Sequence, residues 1–491
     1  MRGLIAALMV AATLPAPVQH HDDHQRVRVL TLNIFYGGDD LDLSTGDFCA
    51  TPDGCPATLR QVERVIRASG ADVVGVQEAE RNTERIAADL GWHGSNHAHV
   101  MSRFPIIDPP GADGRYVFVE VTPGRVMAVA NTHLPSDPYS PYLVRDGGTR
   151  EQVLDLERSV RLPAAQEVAR TLPGLVAKGI PVVLTGDFNS PSPLDWTPAV
   201  AKVRADVPYP VRWPAGQALL DTGLADTYRE AHPDPVRDPG FTWTPGGPES
   251  DPHEVFDRID WVLRAGPSRT VDSRVVGEWD VSPYPTDHRG VVSTLDIRPA
   301  APPSLVAPAS RSVTAGSVVA VRFHAPALPG VRVELRDLRN RVVASAATNG
   351  RADGDVRLST RGLSRGEYSV TLRIGGTVLA RTPIWVYPAG EPTKVSTGRS
   401  SYRVGDPIGV RWSNAPGMNL DWISLYRVDA DPSEYLIYAY TGAAIEGRLS
   451  IGPDSIEGSA SWPLPPGRYV ARLLPDDGYR VAAESRPFTI S

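Results

Sequence analysis

The sequence predicts an α/β domain with sheets packed face to face and helices outside, followed by two all-β sandwich modules of the immunoglobulin-like kind. Three observations predict it. From residue 26 to 298, apolar runs of strand length alternate with segments of helical spacing, and polar clusters close most of the runs. At Arg298-Pro299-Ala300-Ala301-Pro302-Pro303 the composition changes to that of a linker, and helical periodicity stops. Beyond it, short alternating runs are punctuated by Gly, Asn and Asp turns. The chain of 491 residues is too long for one core, and its 47 prolines and 44 glycines suit turn-rich β structure.

In order, the chain begins Met1-Arg2-Gly3, then runs apolar from 4 to 14 and closes with Pro15-Ala16-Pro17. One basic residue, a short greasy run and small residues make a secretory signal, assigned here to residues 1–18. The run is too short to cross a membrane comfortably, and no later segment is apolar enough to be transmembrane, so a secreted or otherwise extracytoplasmic protein is expected. His20, His21, Asp22, Asp23 and His24 read as a solvated linker, with no framework to fix a metal geometry. A strand is predicted over 27–32. Leu59, Val62, Val65 and Ile66 fall at helical spacing, with Gly70 as the stop. Then come a strand over 72–76, a helix over 83–90, a hairpin of 116–121 and 126–131 turning at Pro123-Gly124, a helix over 157–172, and strands at 180–184, 260–263 and 291–297. The β modules are placed at 304–388 and 392–491, divided by Pro388-Ala389-Gly390-Glu391-Pro392. Both carry a similar late element, Leu363 to Val370 and Leu464 to Val470, each with a Gly and a Tyr. The two cysteines, Cys49 and Cys55, predict a small disulfide loop pinning residues 45–56.

The net charge is −7. A protein that grips a nucleic-acid backbone usually shows a basic excess, so nucleic acid is not the favoured partner.

The polar clusters carry the chemistry. Asp187 and Asn189 lie two apart, which puts both side chains on one side of an extended strand end. They can serve a metal and a phosphoryl oxygen, or cap the next segment as an Asx-turn. Asn131 and His133 share a face by the same argument; a lone strand histidine is otherwise a core residue. Asp287-His288 joins a ligand type to a base type. Asp257 and Asp260 flank Arg258, and each carboxylate can orient a histidine or pair with that arginine. Glu78 ends a buried strand, where a carboxylate is costly unless paired or metal-bound, and Asn33 ends the first strand likewise. Together these are ligands for a hard divalent cation, with imidazoles left over for proton transfer. After His133, Tyr139, Tyr142 and Arg145 lie in an insertion that reads as a substrate lid or a plain surface loop. Trp243, in Phe241-Thr242-Trp243, reads as an apolar wall of the site or as core.

The motifs Thr31-Leu32-Asn33, Gln77-Glu78, Ser102-Arg103-Phe104-Pro105-Ile106, Asn131-Thr132-His133-Leu134, Gly186-Asp187-Phe188-Asn189, Asp257-Arg258-Ile259-Asp260 and Asp287-His288-Arg289 appear in the order of a known family. Over residues 26–298 the chain resembles the endonuclease/exonuclease/phosphatase superfamily, which is related to deoxyribonuclease I, bacterial sphingomyelinases and inositol polyphosphate 5-phosphatases. The resemblance implies a four-layered α/β sandwich of the DNase-I-like kind and cleavage of a phosphoester dependent on Mg²⁺ or Mn²⁺. It implies that Asn33, Glu78 and Asp287 hold the metal. Asp187 and Asn189 position the water or the phosphate, or a second metal. His133 binds the phosphate, and Asp257 faces His133. His288 is the base or an orienting imidazole with Asp260 as its carboxylate partner, and proton removal is divided between Asp187 and His288. The last module resembles SKICH-type sandwiches, a weaker match, and its expected ligand is a cell-surface or lipid group. No long hydrophobic hairpin of a membrane-inserting sphingomyelinase is present. The expected activity is an exported phosphomono- or diesterase acting on a small or lipid-derived ester. The alternatives are a secreted nuclease, and a cell-surface binding protein whose catalytic domain is inert.

Overall fold

Alternation with a period of two decides how residues 25–297 are layered. In the strand Gln25–Asn33, Val27 and Val29 belong to one buried cluster and Leu30 and Leu32 to another. Successive side chains of a strand leave opposite faces, so one strand serves two cores. The computed structural model describes residues 24–49, 54–248 and 250–491; the leader assigned to 1–18 lies outside the described residues.

Two six-stranded sheets result. The first runs in the order Ser268–Val276, Gly290–Ile297, Gln25–Asn33, Val73–Gln77, Val100–Ser102, His93–Ser95. The second runs Ile106–Ile107, Val117–Thr122, Arg125–His133, Val182–Asp187, Asp260–Ala265, Ala225–Asp226. Val27, Val29, Val73, Val129, Val183 and Val262 fill the space between the sheets. The helices Pro56–Ser69 and Thr83–Leu90 cover the outer face of the first sheet, through Leu59, Val62, Val65, Ile66 and Ile86. Ala165, Ala215 and Leu219, from the helices Leu162–Thr171 and Pro214–Leu220, cover that of the second. The order helix, sheet, sheet, helix is the four-layered sandwich.

The sheets approach closely at one glycine. A Cβ on Gly75 would lie 1.9 Å from Thr185 Oγ1 and 2.6 Å from Asn131 Oδ1, so only hydrogen fits there.

The helix expected over 157–172 is two helices, Arg150–Val160 and Leu162–Thr171. Pro163 lies at the start of the second, where its missing N–H is tolerated. Arg161, at the break, is fully buried; its guanidinium binds Glu157 Oε1 at 2.8 Å and the carbonyl of Pro138 at 2.9 Å. The break thus ties down the loop that edges the cleft described below.

Residues 305–387 and 394–490 each form two facing sheets around their own core. The shared late element is a tyrosine corner: Tyr368 donates to the carbonyl of Ser364 at 3.1 Å, and Tyr469 to that of Pro465 at 2.7 Å. Cys49 and Cys55 are joined in a disulfide.

Candidate active site

The layering that builds the core also aims the polar residues. Asn33 and Gln77 continue the inward face of the first sheet, and they pair in register across parallel strands. In the second sheet His133 is paired with Asp187, and Asp187 with Asp260. A run of valines facing the other sheet therefore ends, on five strands, in a polar residue at the same rim.

Asp187 is the centre. Its Oδ2 accepts from Asn33 Nδ2 at 3.0 Å and lies 3.5 Å from His133 Nε2 and 3.6 Å from His288 Nε2. Its Oδ1 accepts the backbone N–H of Asn189 at 2.9 Å. Asn189 donates through Nδ2 to the carbonyl of Leu134 at 2.9 Å and faces His133 Nε2 at 3.1 Å. Glu78 accepts from Asn33 Nδ2 at 3.0 Å and from the N–H of Tyr36 at 3.0 Å, 3.9 Å from His133. Asp260 Oδ2 meets His288 Nδ1 at 3.0 Å. Asp287 is held beside them by Thr286, whose hydroxyl donates to the carbonyl of Asn33 at 2.9 Å and so pins the turn to the end of the first strand. Glu78 and Asn189 have φ of 56° and 46°, the left-handed region that costs a residue with a Cβ and that concentrates at functional sites.

Glu78, Asp187, Asn189, Asp287 and His288 line a cleft of about 220 Å³ whose walls also include Phe35, Tyr36, Asp137, Tyr139, Tyr142 and Trp243. Among the described residues, no Lys or Arg lines it. Trp243 lies over His288, ring centroids 4.9 Å apart.

The electrostatics are those of crowded acids. Burial holds Asp287 above the ordinary carboxylate range; His288 opposes, and Glu78 and Asp187 add to it. Burial pushes Asp260 up to about 6, against His288 and with Asp187. Burial alone would lower His288, but Asp260 and Asp187 outweigh it and hold it well above the usual imidazole range. The proton of this pair therefore resides on His288. Asp260 Oδ1 has no hydrogen-bond partner among the described residues. Asp187, Asp260 and His288 each offer an atom within 4.8 Å of the other two. Four carboxylates around two imidazoles leave an excess of negative charge that a divalent cation relieves, so the residues present fit a metal.

Not every expected residue arrives. Asp257 does not face His133: it accepts from Trp196 Nε1 at 2.8 Å and Tyr139 Oη at 3.4 Å, and lies 3.6 Å from Arg204. Nor does Arg258 pair with Asp257 or Asp260; fully buried, it binds Asp226 at 2.7 Å and Asp195 at 2.9 Å. The reason is the strand itself, which sends Asp260 inward and the preceding residues into the loop packing behind it. Asn131 is not a substrate contact. Its Oδ1 accepts from Gln77 at 2.6 Å and Thr185 at 2.9 Å, and its Nδ2 donates to the carbonyl of Val76 at 2.7 Å. Arg145 stands outside the cleft, paired with Asp146 at 2.9 Å and stacked 4.4 Å over Tyr142. Tyr139, Tyr142 and Trp243 do line the cleft. Phe35 and Tyr36 were missed; they lie two and three residues after Asn33, and that position after a strand-end ligand was the available signal.

A sequence model described as the endonuclease/exonuclease/phosphatase family matches residues 30–288. An uncharacterized protein of Caenorhabditis elegans is 28% identical over 268 residues, an alignment spanning 49% of this chain and 79% of that protein. Among solved structures, an endonuclease/exonuclease/phosphatase from Beutenbergia cavernae is 20% identical, covering 73% of this chain and 99% of its own, at a TM-score of 0.35. An AP endonuclease from Archaeoglobus fulgidus is 18% identical, with 54% and 98% covered at a TM-score of 0.35. A 3'-5' exonuclease from Neisseria meningitidis is 19% identical, with 54% and 98% covered at a TM-score of 0.33.

Proposed function

Because the chain belongs to the endonuclease/exonuclease/phosphatase family, we propose that it is a metal-dependent phosphoesterase that hydrolyses a small or lipid-derived phosphate ester, by in-line attack of water. The observation that carries the reading is the convergence on Asp187 of Asn33, His133 and His288, at 3.0, 3.5 and 3.6 Å, with Glu78, Asp260 and Asp287 around them. Glu78, Asp287 and Asn33 would hold Mg²⁺ or Mn²⁺, with Asp187 and Asn189 beside them. When bound, the cation neutralises charge developing on the phosphoryl and leaving oxygens. His133, held at Nε2 against Asn189, presents its ring to the phosphate. Asp187 and His288 share the water: Asp187 takes its proton, and His288, oriented by Asp260, fixes its direction. The buried, preset positions of these groups spare reorganisation during the reaction.

The walls of the cleft support this substrate class. Tyr36 is surrounded by Glu78, Asp287, Asp137 and Asp40, and among the described residues the lining contains no Lys or Arg, His288 being its basic group. A polymer of phosphates meets more repulsion there than a single ester with a neutral or cationic alcohol. Export is part of the proposal; it rests on the apolar leader and on the Cys49–Cys55 disulfide. Among the described residues no helix is long and apolar enough to cross a membrane.

The test is purified full-length protein with Mg²⁺ or Mn²⁺ against plasmid DNA, sphingomyelin, phosphoinositides and nitrophenyl mono- and diesters. Turnover of small or lipid esters is expected, abolished by chelator and restored by metal. Preferential release of acid-soluble nucleotides from the plasmid would make the chain a nuclease. Absence of metal-dependent turnover on every member would leave a binding protein.

A further inference from the structure

The last β-sandwich docks beside the cleft, and one of its loops reaches the strand that leads to Glu78. Residues 475–479 follow the strand Gly467–Leu474. Asp476 and Asp477 have φ of 59° and 58°, two successive residues in a conformation that persists only where its surroundings fix it. Asp421 fixes it: its carboxylate accepts from the N–H of Asp476 at 3.2 Å and from those of Gly417 and Met418 at 2.8 and 3.0 Å. The N–H of Asp477 donates to the carbonyl of Leu420 at 3.0 Å, and Trp422 Nε1 to that of Gly478 at 3.3 Å.

This loop reaches the underside of the candidate metal site. Asp476 Oδ1 lies 2.8 Å from His99 Nε2, and both side chains are largely buried. Thr83 Oγ1, 3.3 Å from Nδ1, can donate to that nitrogen and leave the ring proton on Nε2, facing Asp476. The carbonyl of His99 accepts the N–H of Val76 at 2.9 Å and Nδ2 of Asn131 at 3.4 Å, and Asn131 holds Gln77 at 2.6 Å. Val76 and Gln77 lead directly into Glu78. A second contact is with the turn after it: a Cβ on Gly478 would lie 3.1 Å from Glu80 Cδ. Glu78 and Glu80 in that turn have φ of 56° and 46°, in the left-handed region. Arg311, in the first sandwich, secures the arrangement. Its guanidinium donates to the carbonyls of Gly417 and Ala443 at 3.0 and 2.8 Å and lies 3.5 Å from Asp113 of the catalytic domain, touching all three domains.

We propose that the C-terminal β-sandwich is a positioning element of the catalytic centre: Asp476, acting through His99, sets the place of Glu78 and so the affinity of the site for its metal. This rests on the metal-dependent reading above.

The test is Mn²⁺ binding to the full chain by calorimetry, alongside kcat and KM for an ester that is turned over. Asp476→Ala is expected to weaken Mn²⁺ binding several-fold, below the about tenfold that loss of a direct partner of a metal ligand costs, and to lower kcat with little change in KM. Asp476→Asn keeps an acceptor for Nε2–H and restores binding to within about twofold of wild type. Arg322→Ala, which frees Glu120 from the first sandwich far from the loop, leaves Mn²⁺ binding unchanged. Should Asp476→Ala not fold, His99→Phe removes the same pair from its other side. Wild-type Mn²⁺ affinity in Asp476→Ala, or in His99→Phe where it stands in, overturns the proposal if Glu78→Gln abolishes binding. If Glu78→Gln also binds normally, the metal site itself is misassigned and both readings fall.

Discussion

Replacing Asp260 by Asn keeps the shape of the site and removes one charge from it. Asp260 Oδ2 meets His288 Nδ1 at 3.0 Å, and both residues are buried, so no water takes over the contact. The carboxylate fixes the ring's orientation and stabilises its cationic form; an amide does neither well and can present an N–H to Nδ1, reversing the tautomer. A charge-assisted hydrogen bond of this kind is worth about 1.5–3 kcal/mol. At about 1.4 kcal/mol per tenfold, kcat should fall about 10- to 150-fold. Stability should move the other way or not at all. Burial, with Asp187 adding and His288 opposing, pushes Asp260 up to about 6 from 3.8. The native state therefore holds this proton where the unfolded chain has released it, and ionisation costs stability as pH rises from about 4 to about 6. A neutral Asn escapes that cost, offset by the charge that His288 then loses. The assay is kcat at saturating substrate and metal at neutral pH, with Tm by calorimetry on the same samples. A kcat within about twofold of wild type refutes the orienting role, and a Tm drop of several degrees alongside lost activity assigns Asp260 to the fold instead.

Arg258→Met leaves Asp226 buried without the guanidinium at 2.7 Å, while Asp195 keeps Arg229 at 2.6 Å, and should cost about 3 kcal/mol, seen as a Tm lower by several degrees; an unchanged melt refutes it. Asp257 is pushed up to about 7 by burial, against Arg204 and Trp196, so its contribution to stability falls as pH rises from about 4 to about 7 and is level above. Asp257→Asn should flatten that part of the pH–stability curve in denaturant titrations, and an unaltered slope counts against it. Arg145→Ala should change kcat/KM by less than about twofold, since the side chain is outside the cleft and bound to Asp146. Adding Mg²⁺ or Mn²⁺ should raise the Tm of the wild type and not that of Glu78→Gln; equal shifts in both place the ion elsewhere.

The sequence alone determined the layers and most of the rim, because period-two alternation is local. Val27, Val29, Thr31 and Asn33 leave one face, and the residue closing the pattern is aimed wherever that face points. The same logic made His133, Asp187 and Asp260 legible, each on the inward face of its strand. It failed where the chain leaves regular structure. Asp257 lies in a loop, so nothing in its spacing showed that Trp196, Tyr139 and Arg204 would claim it. Asn131 has the right face and the right neighbour in sequence. Only the close approach at Gly75 shows that its amide is used up between the sheets. Tertiary structure alone decided the docking of the last sandwich, since the pair Asp476–His99 joins positions with no local pattern in common. Long-range polar contacts of this kind depend on where rigid bodies meet, and alternation along a single strand carries no record of that.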